Sequence, residues 1–182
     1  MERFWKWLEG DHKKPRSVLE ISKVIFYCFI FQYVWALIAV SLGLFGPIAN
    51  NPPPSFDIKI LTFFYAVFYA PVTEEFIFRL SPVMVGLLIV DIKILNGWLK
   101  QENWIRDRNA MFFVWGIISS IIFGLAHGSV INIFVQGIDG VCLWSVFLYG
   151  SQLGKDLEIG YLSAVVLHGL YNFVVFLPLF LS

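Results

Sequence analysis

The chain has 182 residues, of which 58% are hydrophobic, 18% aromatic and only 14% charged, with no formal net charge at pH 7 and a mean hydropathy of +0.74. Soluble domains carry about 25% charged residues, whereas the apolar residues here gather in runs long enough to cross a bilayer. An ordinary soluble enzyme is excluded, and no basic block resembles a nucleic-acid-binding arm, so the expected partners include the lipid bilayer and no nucleic acid.

From Met1 to Ser22 the chain is rich in basic residues, Arg3, Lys6, Lys13, Lys14 and Arg16, with Phe4, Trp5, Trp7 and Leu8 interleaved with the first two, a pattern that suits an interfacial helix on the cytoplasmic surface and equally a disordered lead. Val24 to Leu44 is apolar apart from Gln32 and Ser41, too long for a signal-peptide core, and reads as a retained first span. Proline lacks the helical donor and clashes with the preceding turn, so Gly46-Pro47 through Pro52-Pro53-Pro54 reads as an exterior loop. Residues 1–54 thus form an N-terminal segment and residues 55–182 a helical core, within one membrane domain.

The second span starts near Ile58 and carries Pro71-Val72-Thr73-Glu74-Glu75-Phe76-Ile77-Phe78-Arg79-Leu80. Each unpaired ionisable group at membrane depth costs about 2.5–3.5 kcal/mol on insertion scales. Glu75 and Arg79, four apart, share a helix face with the acid on the favourable N-terminal side. Glu74 lies about 100° round the helix and must find its partner on another segment. An internal ion-pair cluster is the bland alternative.

Ser81-Pro82 is expected to end or kink this helix. Val83 to Val90 is too short to cross alone and reads as a continuation of the helix or a surface segment. Lys93 to Arg108, with Trp98 and Trp104, is a basic interfacial loop. Further spans are expected from about Met111, from Ile133 to Leu153 and from Tyr161 to Leu181, separated by Gly128 to Asn132 and by Gly154 to Gly160. The fold class is therefore all-α, a polytopic transmembrane helix bundle of about five to six spans. The positive-inside rule places the N-terminus in the cytoplasm. Cys28 and Cys142 have no metal-ligand spacing and read as inert buried thiols.

Two histidines lie in apolar runs. His127 follows Phe123 by four residues, and His168 precedes Asn172 by four, so each pair shares a helix face. A single one of these polar residues is more often interhelical glue than a catalyst. The set of an acid, two imidazoles and an amide on three helices is what water-mediated amide cleavage needs. Glu74 is the general base, His127 holds and polarises the water, and His168 and Asn172 donate to the oxyanion. Glu74, His127 and His168 would also make an acceptable catalytic zinc set, although the H-E-x-x-H spacing is missing. One site requires these residues at one depth, which is expected if the second helix continues past Pro82 and the third extends beyond Gly128.

Glu74-Glu75-x-x-x-Arg79, Phe123-x-x-x-His127 and His168-x-x-x-Asn172, in this order on hydrophobic segments, resemble the motifs of the CPBP intramembrane proteases. That family comprises type II CAAX prenyl endopeptidases, bacterial Abi proteins and proteins like the lysostaphin resistance protein A. The resemblance covers Ile58 to the C-terminus and implies an intramembrane endopeptidase of the bacterial plasma membrane. Its substrate is a peptide or protein, membrane-bound or lipidated. The resemblance implies Glu74, His127, His168 and Asn172 as catalytic residues and Glu75, Arg79 and Phe123 as supports. It leaves open a zinc or a metal-free glutamate mechanism. Two other classes compete: a non-enzymatic scaffold or immunity protein binding a peptide or membrane partner, and a proton-coupled transporter, which calls for inverted repeats that the sequence does not display.

Overall fold

The computed structural model describes residues 16–44, 56–91, 104–152 and 155–181. Among them are helices and no strand. The expected interfacial segment up to residue 15, the proline-rich loop and most of the basic loop lie outside the described residues.

Helix α1 spans Val18–Ser41 and so begins before the expected Val24. Ser17 starts it with a capping box: its hydroxyl accepts from the Glu20 N–H at 3.3 Å, and the Glu20 carboxylate accepts from the Ser17 N–H at 2.9 Å. It ends at Gly43, whose φ of +68° allows the Gly43 and Leu44 N–H groups to reach back to Val40 and Ala39, each at 3.0 Å.

The second membrane-crossing element is one long helix in three α-helical pieces, α2 (Phe56–Phe64), α3 (Ala70–Glu75) and α4 (Ser81–Asp91), joined by π-helical turns at Tyr65–Tyr69 and Phe76–Leu80. Each π-turn comes just before a proline, Pro71 or Pro82. A proline in a helix removes one hydrogen bond and crowds the carbonyl four residues back, here that of Val67 or Phe78, and a π-turn relieves the crowding by widening the turn. Instead of ending at Ser81-Pro82, the helix runs on to Asp91, so Val83 to Val90 is its continuation. Its apolar stretch of 30 residues, Ile58–Leu87, is about 45 Å long, more than the ~30 Å hydrocarbon core, and calls for a tilt.

The remaining helices are α5 (Trp104–Ala126), α6 (Asn132–Gly150) and α7 (Leu157–Leu181). Helix α5 does not extend beyond Gly128 as expected. It stops at Ala126, and Gly128 takes a φ of +99° that turns the chain back into α6. Among the described residues four helices are long and apolar enough to cross a membrane, and the apolar part of α5, Phe112–Ala126, is shorter. With large apolar side chains such as Phe26, Phe31, Phe64 and Phe113 exposed round the bundle, this is an integral membrane protein.

Helix α6 is the central one, with 67% of its apolar window buried against 17–28% for the other three spans. Lipid is as apolar as leucine, so helices here associate through close packing and interhelical hydrogen bonds. Against α5 the means is small residues: a side chain at Gly124 would meet the backbone of Asn132 and Ile133 at 2.7 Å. Against α1 it is a polar seam. Trp35 donates to Phe134 O at 2.8 Å, Gln32 to Asp139 O at 3.4 Å and Arg16 to Tyr149 O at 3.1 Å. Positions fall along α1 as they rise along α6, the register of an antiparallel pair.

Gly124→Val puts new atoms against backbone that has no freedom to yield. Overpacking of this kind costs about 1–3 kcal/mol, so the variant is expected to denature at lower temperature than the wild type in the same detergent, which a thermal unfolding series checks.

Candidate active site

The polar residues of the second helix are deeply placed: Glu75 and Arg79 are 0% exposed. Arg79 Nε lies 3.2 Å from Glu75 Oε2, an ion pair whose angles fall short of a hydrogen bond. The widened turn that begins at Phe76 separates residues four apart from their usual alignment. The guanidinium also donates through Nη2 to Gly140 O at 3.3 Å and stands 4.6 Å from the centre of the Phe123 ring, a cation–π contact.

Helix α7 brings His168, itself buried, between the two glutamates. Its Nδ1 is 2.8 Å from Glu75 Oε1 and its Nε2 is 3.8 Å from Glu74 Oε2. A carboxylate accepts only, so Nδ1 carries a proton on the Glu75 side and Nε2 points toward Glu74. Glu74 keeps 28% side-chain exposure, yet its Oε2 is buried without a hydrogen-bond partner among the described residues. At 3.8 Å the two groups are beyond the reach of a direct hydrogen bond.

His127 stands just past the end of α5 and turns Nδ1 to the Phe123 carbonyl at 2.8 Å. That carbonyl is one of those left unbonded at a helix C-terminus, so the ring serves as a local cap. Among the described residues no hydrogen bond or ion pair joins His127 to Glu74. The link between the two histidines is Phe123, whose buried ring meets that of His127 at 4.7 Å and that of His168 at 5.8 Å, both edge to face. Asn172 donates one amide N–H to Ala66 O at 2.8 Å, inside the span of the first π-turn, where helical bonding is disturbed. Ser119 does the same for the second, its hydroxyl bonding Phe78 O, the carbonyl crowded by Pro82. Gly169 completes the approach, for a side chain there would meet Val67 O at 3.0 Å.

Glu74, Glu75, Arg79, Phe123 and His168 are thus in one connected cluster, with His127 at its edge and Asn172 one turn along α7. The expected pairing of Glu75 with Arg79 is present. What local spacing does not reveal is that His168 faces both carboxylates, or that Ser119, Gly140 and Gly169 hold the cluster together. No three His, Cys, Asp or Glu side chains among the described residues converge closely enough to hold a metal ion. The arrangement of Glu74, His127 and His168 therefore does not fit a zinc centre.

A bundle of apolar helices closing round an acid, two histidines and a buried guanidinium defines a membrane protein with an intramembrane polar centre. The family model for type II CAAX prenyl endopeptidases, described as Rce1-like, matches residues 56–174, which include every residue of that centre. The chain belongs to this family of membrane-embedded CAAX-protease-like endopeptidases, within the CPBP group that its motifs resemble. No curated protein and no solved structure matches the chain at a significant level.

Removing one partner of a buried ion pair strands the other charge, at a cost of about 3–5 kcal/mol. Arg79→Met should therefore lower the denaturation midpoint of the solubilised protein far more than Glu74→Gln, which leaves the Glu75 pair intact. Chemical denaturation of the two variants side by side checks this.

Proposed function

We propose that this protein hydrolyses a peptide bond of a membrane-associated protein, with Glu74 activating the attacking water. The observation that carries the reading is the pair formed by the unpartnered Glu74 Oε2 and the His168 Nε2 3.8 Å away, with the other ring nitrogen anchored by Glu75. A water admitted beside this pair gives one proton to Glu74 and hydrogen-bonds to His168 Nε2 with the other. Glu74 takes the proton as the oxygen attacks the carbonyl carbon, then returns it to the leaving nitrogen as the C–N bond breaks.

The oxyanion needs donors. Asn172 has a second amide N–H beyond the one given to Ala66 O. His168, whose Nδ1–H is engaged by Glu75, accepts from the water through Nε2 and orients it, so the oxyanion donor is Asn172. His127, with Nδ1 on the Phe123 carbonyl, presents Nε2 at the edge of the cluster as a further support for the water. Residues 55–182 are the catalytic core. The basic residues before α1 assign the N-terminus to the cytoplasm, and the substrate is a membrane-bound or lipidated peptide entering from that side.

Glu74→Gln is expected to abolish cleavage while leaving the protein inserted, and Asn172→Ala to slow it about 10²–10³-fold, the usual loss for one oxyanion donor. Proteomics comparing membranes that carry the wild type with membranes that carry Glu74→Gln reads the outcome as a protein terminus that appears only with activity. Undiminished turnover in both Glu74→Gln and His168→Ala would overturn the assignment, and a cellular phenotype that survives Glu74→Gln would favour a binding role.

A further inference from the structure

The two cysteines of the chain sit on α1 and α6, and neither takes part in the Glu74 centre. Their spacing in sequence suggests two separate inert thiols, but the packing of α1 on α6 brings them together. Gln32 Nε2 donates to Asp139 O at 3.4 Å, which fixes one point of contact between these antiparallel helices. Cys28 lies one turn before Gln32 on the same face of α1, and Cys142 one turn after Asp139 on the same face of α6. Moving in opposite directions along antiparallel helices keeps the two positions opposite each other, and the contact is made: one thiol S–H donates to the sulfur of the other. The bonds from Trp35 to Phe134 O and from Arg16 to Tyr149 O hold the register on either side.

The two sulfurs differ in access. Cys142 is 8% exposed, whereas Cys28 is half-buried on the least enclosed of the spans. Its neighbours Tyr27 and Phe31 are exposed on the outside of the bundle, so a reagent that reaches Cys28 arrives through the lipid. An accessible thiol with a second thiol touching it is the arrangement in which a sulfenic acid is captured as a disulfide rather than oxidised further.

We propose that Cys28 and Cys142 are a site of reversible disulfide formation, oxidised by an organic hydroperoxide dissolved in the bilayer. The Cys28 sulfur attacks the terminal peroxide oxygen, the O–O bond breaks, and the alcohol leaves with the thiol proton, giving a sulfenic acid on Cys28. The Cys142 sulfur then attacks the sulfenic sulfur. The S–S bond forms, and the sulfenic hydroxyl leaves as water with the Cys142 proton. The two thiols give up two electrons and the peroxide bond takes them, so one alcohol and one water are produced for each disulfide. The bond ties α1, which lies outside the segment matched by the family model, to α6, whose Gly140 carbonyl holds Arg79.

The test uses membranes holding the full-length protein, treated with cumene hydroperoxide, denatured, labelled with N-ethylmaleimide and measured by intact mass. The wild type is expected to carry two labels before treatment and none after it, as a monomer, and to regain both after dithiothreitol. Because the chain has two cysteines in all, reversible loss of both labels from a monomer identifies the bond. In detergent the oxidised protein should melt about 5–10 °C above the reduced one, a shift absent from Cys142→Ala. The mass measurement needs the wild type alone, so it decides the matter even where that variant does not fold. Two labels retained after exhaustive treatment overturn the proposal. Loss of labels that dithiothreitol does not reverse, or that appears only in covalent dimers, overturns it as well.

Discussion

The arrangement depends on the need to neutralise three charged groups inside an apolar bundle. Arg79 has one carboxylate within reach on its own helix, Glu75, and both side chains are 0% exposed. The second Glu75 oxygen turns to His168, 93 residues along the chain, at 2.8 Å. The same carboxylate therefore compensates a cation and orients an imidazole. A buried ion pair is weak evidence of stability, because desolvation offsets its attraction. Its consequence here is positional: Glu75 can serve both partners only if α7 is rotated so that His168 also lies beside Glu74.

The two prolines of the second helix bring about that rotation from the other side. Each is preceded by a π-turn, and each π-turn redirects backbone carbonyls that a regular helix would use internally. Asn172 takes the Ala66 carbonyl and Ser119 that of Phe78, so what looks like local damage in the helix becomes cross-helix bonding on both faces of the site. In lipid an unmatched carbonyl has no water to turn to, and neighbouring helices must supply its partner. The hydrogen bond that makes Asn172 a structural residue uses only one of its two amide protons. Support of the helix and stabilisation of an oxyanion are compatible roles for one side chain.

Helix α1 shows the same economy in a segment without family motifs. It holds α6 through indole, amide and guanidinium groups bonded to backbone carbonyls, where a soluble protein would rely on apolar contact. Helix α6, the most enclosed of the spans, thereby receives α5 through glycines on one side and α1 through polar side chains on the other. Gly140 connects the two systems, since its carbonyl takes Arg79 next to the buried Asp139.

The sequence by itself determined that this is a helical membrane protein, because run length and charge scarcity are local properties of the chain. It also determined that Glu75 pairs with Arg79, because a spacing of four residues projects directly onto a helix face. It left open whether the second helix would pass Pro82, offering both an end and a continuation there, because a proline either breaks a helix or is absorbed by a π-turn, and the partners that neighbouring helices offer to the freed carbonyls decide which. The turn from Gly128 to Asn132 was legible between two apolar runs, and α5 ends just before it, at Ala126; what is absent is the extension beyond Gly128 that a single depth for the site called for. The partners of His168, Asn172 and Gln32 lie 93, 106 and 107 residues away, and separations of that size leave no periodic trace. Those pairings were decided by tertiary structure alone, where every polar group brought into the bundle has to meet another.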